Sequence, residues 1–282
     1  MKITKKDVGV FFISMTISFI ILSSAFMMFY IVTKNLTNKT ANATKKNVPY
    51  ENSYLQYIPR VEENLTTLII GCDDVVNLPT LFLLCNYDAI EGKLSLSILP
   101  PQTLITVQTR KSTLVGHYDY EGILGATRAV KSLTLKPVDR YIRLDKVGIA
   151  NMFDYLGGVN FNMEKNLSIN DNKLQAGKQL LDGQRAAQIL LKPNETKEDL
   201  ILKSNLVTSF CKEHFKAPLI EKYNKLQSAF FYNATTNINQ YDFAFRQKGI
   251  FKRLSSESLV INQEIIQGVY KIEDEKNVFE PE

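Results

Sequence analysis

The longest apolar run in the chain stands near its start, where Val8–Thr33 carries no charged side chain. A helix rising about 1.5 Å per residue over that length crosses a hydrocarbon core of roughly 30 Å with tilt to spare. Lys2, Lys5 and Lys6 precede the run and Lys34 follows it, and its Ser and Thr hydroxyls can bond backbone carbonyls one turn back. A cleaved signal peptide is the competing reading, with Ser23, Ser24 and Ala25 as the small residues at a cut. The run outlasts a signal h-region of roughly 7–15 residues and continues past those small residues, which favours a retained anchor. The expectation is a cytoplasmic tail over 1–7, a transmembrane helix over 8–33 and everything foldable after it.

Residues 34–60 are rich in Asn, Thr and Lys without apolar periodicity and read as a solvated linker. Strand patterns then follow at Leu68–Gly71, Leu81–Tyr87 and Lys93–Leu99, the last two joined by a short Asp88–Gly92 reversal that suits a β-hairpin. A helix is predicted over Gly122–Leu133, closed by Lys136-Pro137, then a strand at Tyr141–Leu144 and a helix at Lys146–Leu156. Gly157-Gly158 ends that helix as a left-handed cap. Two more helices are predicted, Gly183–Leu191 and Asp199–Phe215, with Pro193 breaking the chain between them. Alternating strands and helices predict an α/β fold, a layered α/β/α domain with a central mixed sheet over 61–215. Residues 216–282 are expected to pack on it as an extension of helices and a short strand.

Charge narrows the partners. The first 60 residues hold eight basic side chains against two acidic ones, which accounts for the net charge of +5 because the body, at 26 basic against 27 acidic, is nearly neutral. That excludes the basic face of a nucleic-acid binder and points to membrane topology and anionic headgroups. Lys39, Lys45 and Lys46 follow the span and weaken the positive-inside asymmetry, so charge alone leaves the orientation open. Cys72, Cys85 and Cys211 cannot all pair within one chain, and Cys72 and Cys85 lie in or beside apolar strand patterns, which favours buried thiols over a disulfide framework.

Four segments, in order, resemble the LytR–CpsA–Psr family of cell-envelope proteins. Leu68-Ile69-Ile70-Gly71-Cys72-Asp73-Asp74 is similar to the family's first strand and Gly-x-Asp turn. Lys93–Thr103 resembles its hairpin strand leading into an Ile-Pro-Arg-Asp-Thr loop. Tyr141–Met163 resembles its strand, helix and Leu-Gly-Gly-Val turn. Leu174–Ala187 resembles its Gly-x-x-x-Leu-Asp-Gly-x-x-Ala signature. The resemblance implies a single-pass protein of the cell membrane with its C-terminal domain extracytoplasmic. It further implies transfer of a cell-wall glycopolymer from a polyprenyl-pyrophosphate carrier to peptidoglycan. The lipid would fill an apolar cavity, with arginines and carboxylate-bound Mg2+ holding the pyrophosphate, a layout that gives a departing phosphate fixed positive partners.

The residues at the implied chemical centre depart from that pattern. Pro101 and Gln102 replace the loop's arginine and acid, Leu191 and Pro193 an Arg-x-Arg pair, and Leu202 and Asn205 arginines on the next helix. Pro79, beside Thr80, replaces a second metal-binding Asp, so any Mg2+ site is weakened by one ligand. Asp73 remains the candidate metal ligand, with a turn-capping carboxylate as the equal alternative. Asp199 is expected to cap a helix N-terminus. Lys192 and Lys203 are candidate phosphate contacts, weighed against a solvated helix face. Asp182 reads as a helix cap, His117 as a loop residue, His214 as a helix C-terminal residue, and Arg110-Lys111 as an exposed loop pair. No catalytic residue is assigned. The favoured expectation is an envelope protein that binds a polyprenyl-linked lipid or glycan with weak or no catalysis. An active transferase and a scaffold docking envelope-assembly proteins are the alternatives.

Overall fold

The computed structural model describes residues 54–282, apart from 74–77, 170–171, 194–195 and 274–275. The expected span Val8–Thr33, its tail and most of the linker lie outside the described residues. No helix among the described residues is long and apolar enough to cross a membrane.

Residues 54–282 form one compact unit. β1 (Leu65–Cys72), β2 (Pro79–Asp88) and β3 (Lys93–Leu99) form an antiparallel meander in which Leu83 faces Ile98 and Asp88 faces Lys93. β2 is apolar on both sides because both sides are covered. Phe82 and Leu84 join Leu68 and Ile70 of β1 in one core, while Leu81 and Leu83 join Leu96 and Ile98 in another. Each fully buried Leu, Ile or Phe contributes about 1.5–3 kcal/mol.

β4 (Leu104–Val107) and β5 (Arg110–Thr113) form a small hairpin. Arg110 and Lys111 are therefore strand residues and not the expected loop pair, and the Arg110 guanidinium lies 3.9 Å from the Tyr120 ring centre. The turn uses Gln108 at φ 55, without the glycine that would mark it in sequence. α1 (Leu114–Thr134) begins eight residues before the expected Gly122. Thr113 caps it by accepting from the Gly116 amide, and Glu121 and Gly122 interrupt it with non-helical backbone. Gly122 is thus a kink between two helical arms. His117 lies on the first arm, buried, and its Nε2–H donates to the Ile105 carbonyl at 2.9 Å, which corrects the loop reading. Ala126, Ala129 and Val130 of the second arm close the Phe82 core.

β6 (Arg140–Asp145) returns parallel to β1, and α2 (Lys146–Leu156) follows with Asp145 as its N-cap. Gly157 and Gly158 both adopt positive φ, as the glycine pair predicts. β7 (Val159–Met163), β8 (Leu167–Ile169), β9 (Asn172–Leu174) and β10 (Gly177–Leu181) form two short hairpins, β7 with β10 and β8 with β9. α3 (Gly183–Leu191) is capped by Asp182, whose carboxylate accepts from the Arg185 amide at 2.8 Å. α4 (Lys197–His214) completes the second core with α2 and α3.

The expected boundary at 215 falls between α4 and α5 (Pro218–Asn233), yet the central sheet draws both edges from beyond it. β11 (Thr235–Thr236) pairs with β6; after α6 (Gln240–Ser255), β12 (Val260–Ile265) runs parallel to β3. The order is β11-β6-β1-β2-β3-β12, a mixed sheet, and β13 (Gly268–Glu273) and β14 (Lys276–Pro281) end the chain as a hairpin. Cys72, Cys85 and Cys211 are unpaired. Burial pushes the Cys85 thiol up strongly and that of Cys211 to about 12.

Candidate functional site

β1 and β6 are parallel neighbours that end together, Cys72 beside Asp145. Their next residues, Asp73 and Lys146, therefore stand at the carboxyl end of a parallel pair, a crevice where α/β sheets commonly take ligands. The C-terminal end of α3 closes the crevice with Gln188, Leu191 and Lys192. The cavity they enclose measures about 260 Å³, with Ser168 and Ile169 of β8 on its wall. Lys146 escapes a reading of the sequence, although a cation in the first turn of a helix opposes the dipole and is a signal worth following.

Lys192 is turned toward α4. Its Nζ meets Asp199 Oδ1 at 2.5 Å, and its backbone carbonyl accepts from Lys203 Nζ. Asp199 is the third residue of α4 and not its cap. Thr196 caps the helix, and Asp199 Oδ2 accepts from the Thr196 amide in return. Lys203 is 1 % exposed, which excludes the solvated-face reading. Burial, opposed by Asp199 and aided to a lesser extent by Lys192, lowers its ammonium to about 7. Tyr270 of β13 feels the same carboxylate: burial first, then Asp199, pushes its hydroxyl up to about 12.

Gln102 is not among the residues lining this cavity. It sits in a turn where the Thr103 amide and hydroxyl both donate to the Pro100 carbonyl. Its own carbonyl takes the Phe279 amide at 2.9 Å, while Pro101 offers its carbonyl to the Val115 amide. The loop that resembles an arginine-bearing one is thus bound to the C-terminal hairpin and to α1. Leu191 is buried, and Leu202 packs against the same core. Asn205 opens instead on a groove along α4, where two cavities share Phe161, Asn162 and Asn205. The buried Thr208 hydroxyl lines the further one without a hydrogen-bond partner. Asp199 and Leu167 line the nearer cavity, so the ion pair Lys192–Asp199 and strand β8 stand between the Asp73 crevice and this groove.

On the opposite face of the sheet, Arg143 Nε donates to the Tyr118 hydroxyl at 3.2 Å. Burial first, then the neighbouring Cys72 thiol, raises that hydroxyl's pKa, and Arg143 works against both. Among the described residues no three His, Cys, Asp or Glu side chains gather as a metal cluster. Among the described residues, the charged groups of the crevice lining are the Asp73 carboxylate and the Lys146 and Lys192 ammonium groups.

The LytR_cpsA_psr family model matches residues 26–280. The chain belongs to that family. Solved structures agree on the fold. A protein from Eubacterium siraeum DSM 15702 described as a transcription regulator superposes with a TM-score of 0.71 at 18% identity, covering 82% of this chain and 92% of that one. TagV of B. subtilis gives 0.64 at 16%, covering 78% and 91%. TagT bound to LI-WTA gives 0.61 at 14%, covering 78% and 85%. No curated protein sequence matches the chain. At these identities the neighbours establish the family fold, and the mixed central sheet is its shared frame.

Proposed function

We propose that this family member binds the phosphate-linked end of a polyprenyl-carried wall glycan outside the cell membrane, without carrying out the family's transfer. The observation that carries the reading is the state of the cationic centre. Leu191, Pro193, Leu202 and Asn205 stand where the family resemblance implies arginines, leaving Lys146 and Lys192 around Asp73. Two ammonium groups and the Gln188 amide can hold a phosphate oxygen, but as point charges they do not orient a pyrophosphate as a planar fork would. Asn162, Asn205 and the Thr208 hydroxyl beyond the ion pair offer donors and acceptors suited to sugar hydroxyls. TagT, of the same fold, has been captured with LI-WTA. The N-terminal apolar run is the proposed anchor in the membrane that supplies such a lipid.

The test is calorimetric titration of the full chain in detergent with a short-chain polyprenyl-pyrophosphoryl sugar. Binding without turnover, unchanged by chelator and weakened about tenfold in Lys146→Ala/Lys192→Ala, is expected. Divalent-cation-dependent release of the sugar phosphate, lost in Asp73→Ala, would establish an active transferase instead. No binding at all would favour a scaffold, which crosslinking to neighbouring envelope proteins would reveal.

A further inference from the structure

The first described residues form a strap across α6 whose two sides differ at a spacing of three. Tyr54 meets Phe251 edge-on at 5.9 Å, and the Tyr57 hydroxyl donates to Glu63 at 2.5 Å while its carbonyl accepts from Lys252 Nζ at 2.8 Å. The buried Glu63 carboxylate also lies against Gly249. These residues pin the strap down. Leu55, Ile58 and Val61 alternate with them and face outward, 44%, 78% and 65% exposed. Arg60 continues this surface onto the helix, its guanidinium 5.1 Å from the Phe245 ring, on which Tyr241 stacks at 5.6 Å. Tyr241, Phe245 and Lys248 share one helix face, with Tyr241 and Lys248 exposed.

We infer that this surface rests on the lipid headgroup region of the membrane holding the chain, with aliphatic side chains dipped into the boundary and Arg60 and Lys248 among anionic headgroups. Three observations choose lipid over another occupant. The strap follows the apolar run Val8–Thr33 after only twenty residues, 34–53, so a bilayer spanned by that run lies within about 70 Å of it along the chain. Outward aliphatics, an exposed Tyr and basic side chains are the composition of interfacial segments. The exposed charges suit an anionic surface: Arg60, whose Nε also lies 3.5 Å from the buried Glu63 carboxylate, keeps 56% of its side chain exposed, and Lys248 is exposed with it, against the exposed Glu62. The inference uses the proposed anchor but not the proposed ligand.

The chain has no tryptophan, so one introduced indole is a clean reporter. The full chains carrying Ile58→Trp, or Leu124→Trp on the exposed side of α1, are reconstituted in phosphatidylcholine–phosphatidylglycerol vesicles whose acyl chains are brominated. The indole at position 58 is expected to lose roughly half its emission and to shift blue, while that at 124 stays nearly unquenched. Adding Arg60→Glu and Lys248→Glu should diminish quenching at 58 in anionic vesicles and leave it at its lower level in neutral ones. Equal quenching at the two positions, or none at 58, overturns the inference; a blue shift without bromine quenching would show that residues 34–53 or a protein covers the strap instead. Failure of the chain to float with vesicles also overturns it, whereas the sugar-phosphate titration in detergent is unaffected by that result.

Discussion

Lys192 and Asp199 meet at 2.5 Å across the break between α3 and α4, and the same carboxylate completes the capping box with Thr196. One side chain thus fixes the start of a helix and holds the cation at the crevice. Asp199→Ala is expected to cost about 1–2 kcal/mol through the lost half of the capping box and the lost ion pair with Lys192, read as a lower urea midpoint. Because Asp199 is what supports the charge on Lys203, the lysine's titration should move further down in the same variant.

The buried ammonium of Lys203 makes stability depend on pH. Its ordinary value is 10.5 and its folded value about 7, so below pH 7 both states carry the proton and the fold bears the full cost of burial. Between about 7 and 10.5 the folded chain has shed a proton that the unfolded chain keeps, so stability rises with pH. Urea unfolding at pH 6 and pH 9 should show this rise. Lys203→Met is expected to flatten it and to stabilise the protein at pH 6 by about 1–3 kcal/mol.

Asp242 ties α6 to the sheet. Arg140 grips it with two bonds of 2.8 and 2.9 Å, and Arg246 lies 3.4 Å away. Burial works to raise the carboxyl, but the Arg140 fork and the Asn239 amide hold it below the usual 3.8. Its contribution is present above that value and fades as pH falls through the lowered folded value. Asp242→Asn should lose about 3 kcal/mol at pH 7 by denaturant titration, and the gap to the parent should narrow toward pH 2.

Gly183, in the segment that resembles the family signature, has a structural task. A Cβ there would stand 2.0 Å from the Ala150 carbonyl of α2, so Gly183→Ala should destabilise by about 3 kcal/mol in thermal melts. Gly157→Ala meets open space and should cost only about 1 kcal/mol, the strain of its φ of 103.

Local features are legible in the residues themselves. The β2–β3 hairpin, the Asp182 cap and the glycine end of α2 follow from alternation, short polar side chains and backbone freedom, which operate within a few residues. The helical place of His117 and the first arm of α1 are hidden in the sequence because Gly122 looks like a helix start when read alone. Nothing local marks it as a kink between two arms.

The sequence by itself determined the apolar N-terminal run, the order of the three-strand meander, β6 and the helices through α4, and the loss of arginines from the family pattern. Those properties reside in residue identity and near-neighbour spacing. Only the tertiary structure decided that β11 and β12 complete the sheet, that Lys146 joins Asp73 and Lys192, and that Lys203 is buried under the ion pair. Each depends on segments tens of residues apart, and a lysine's cost of burial is set by what packs around it.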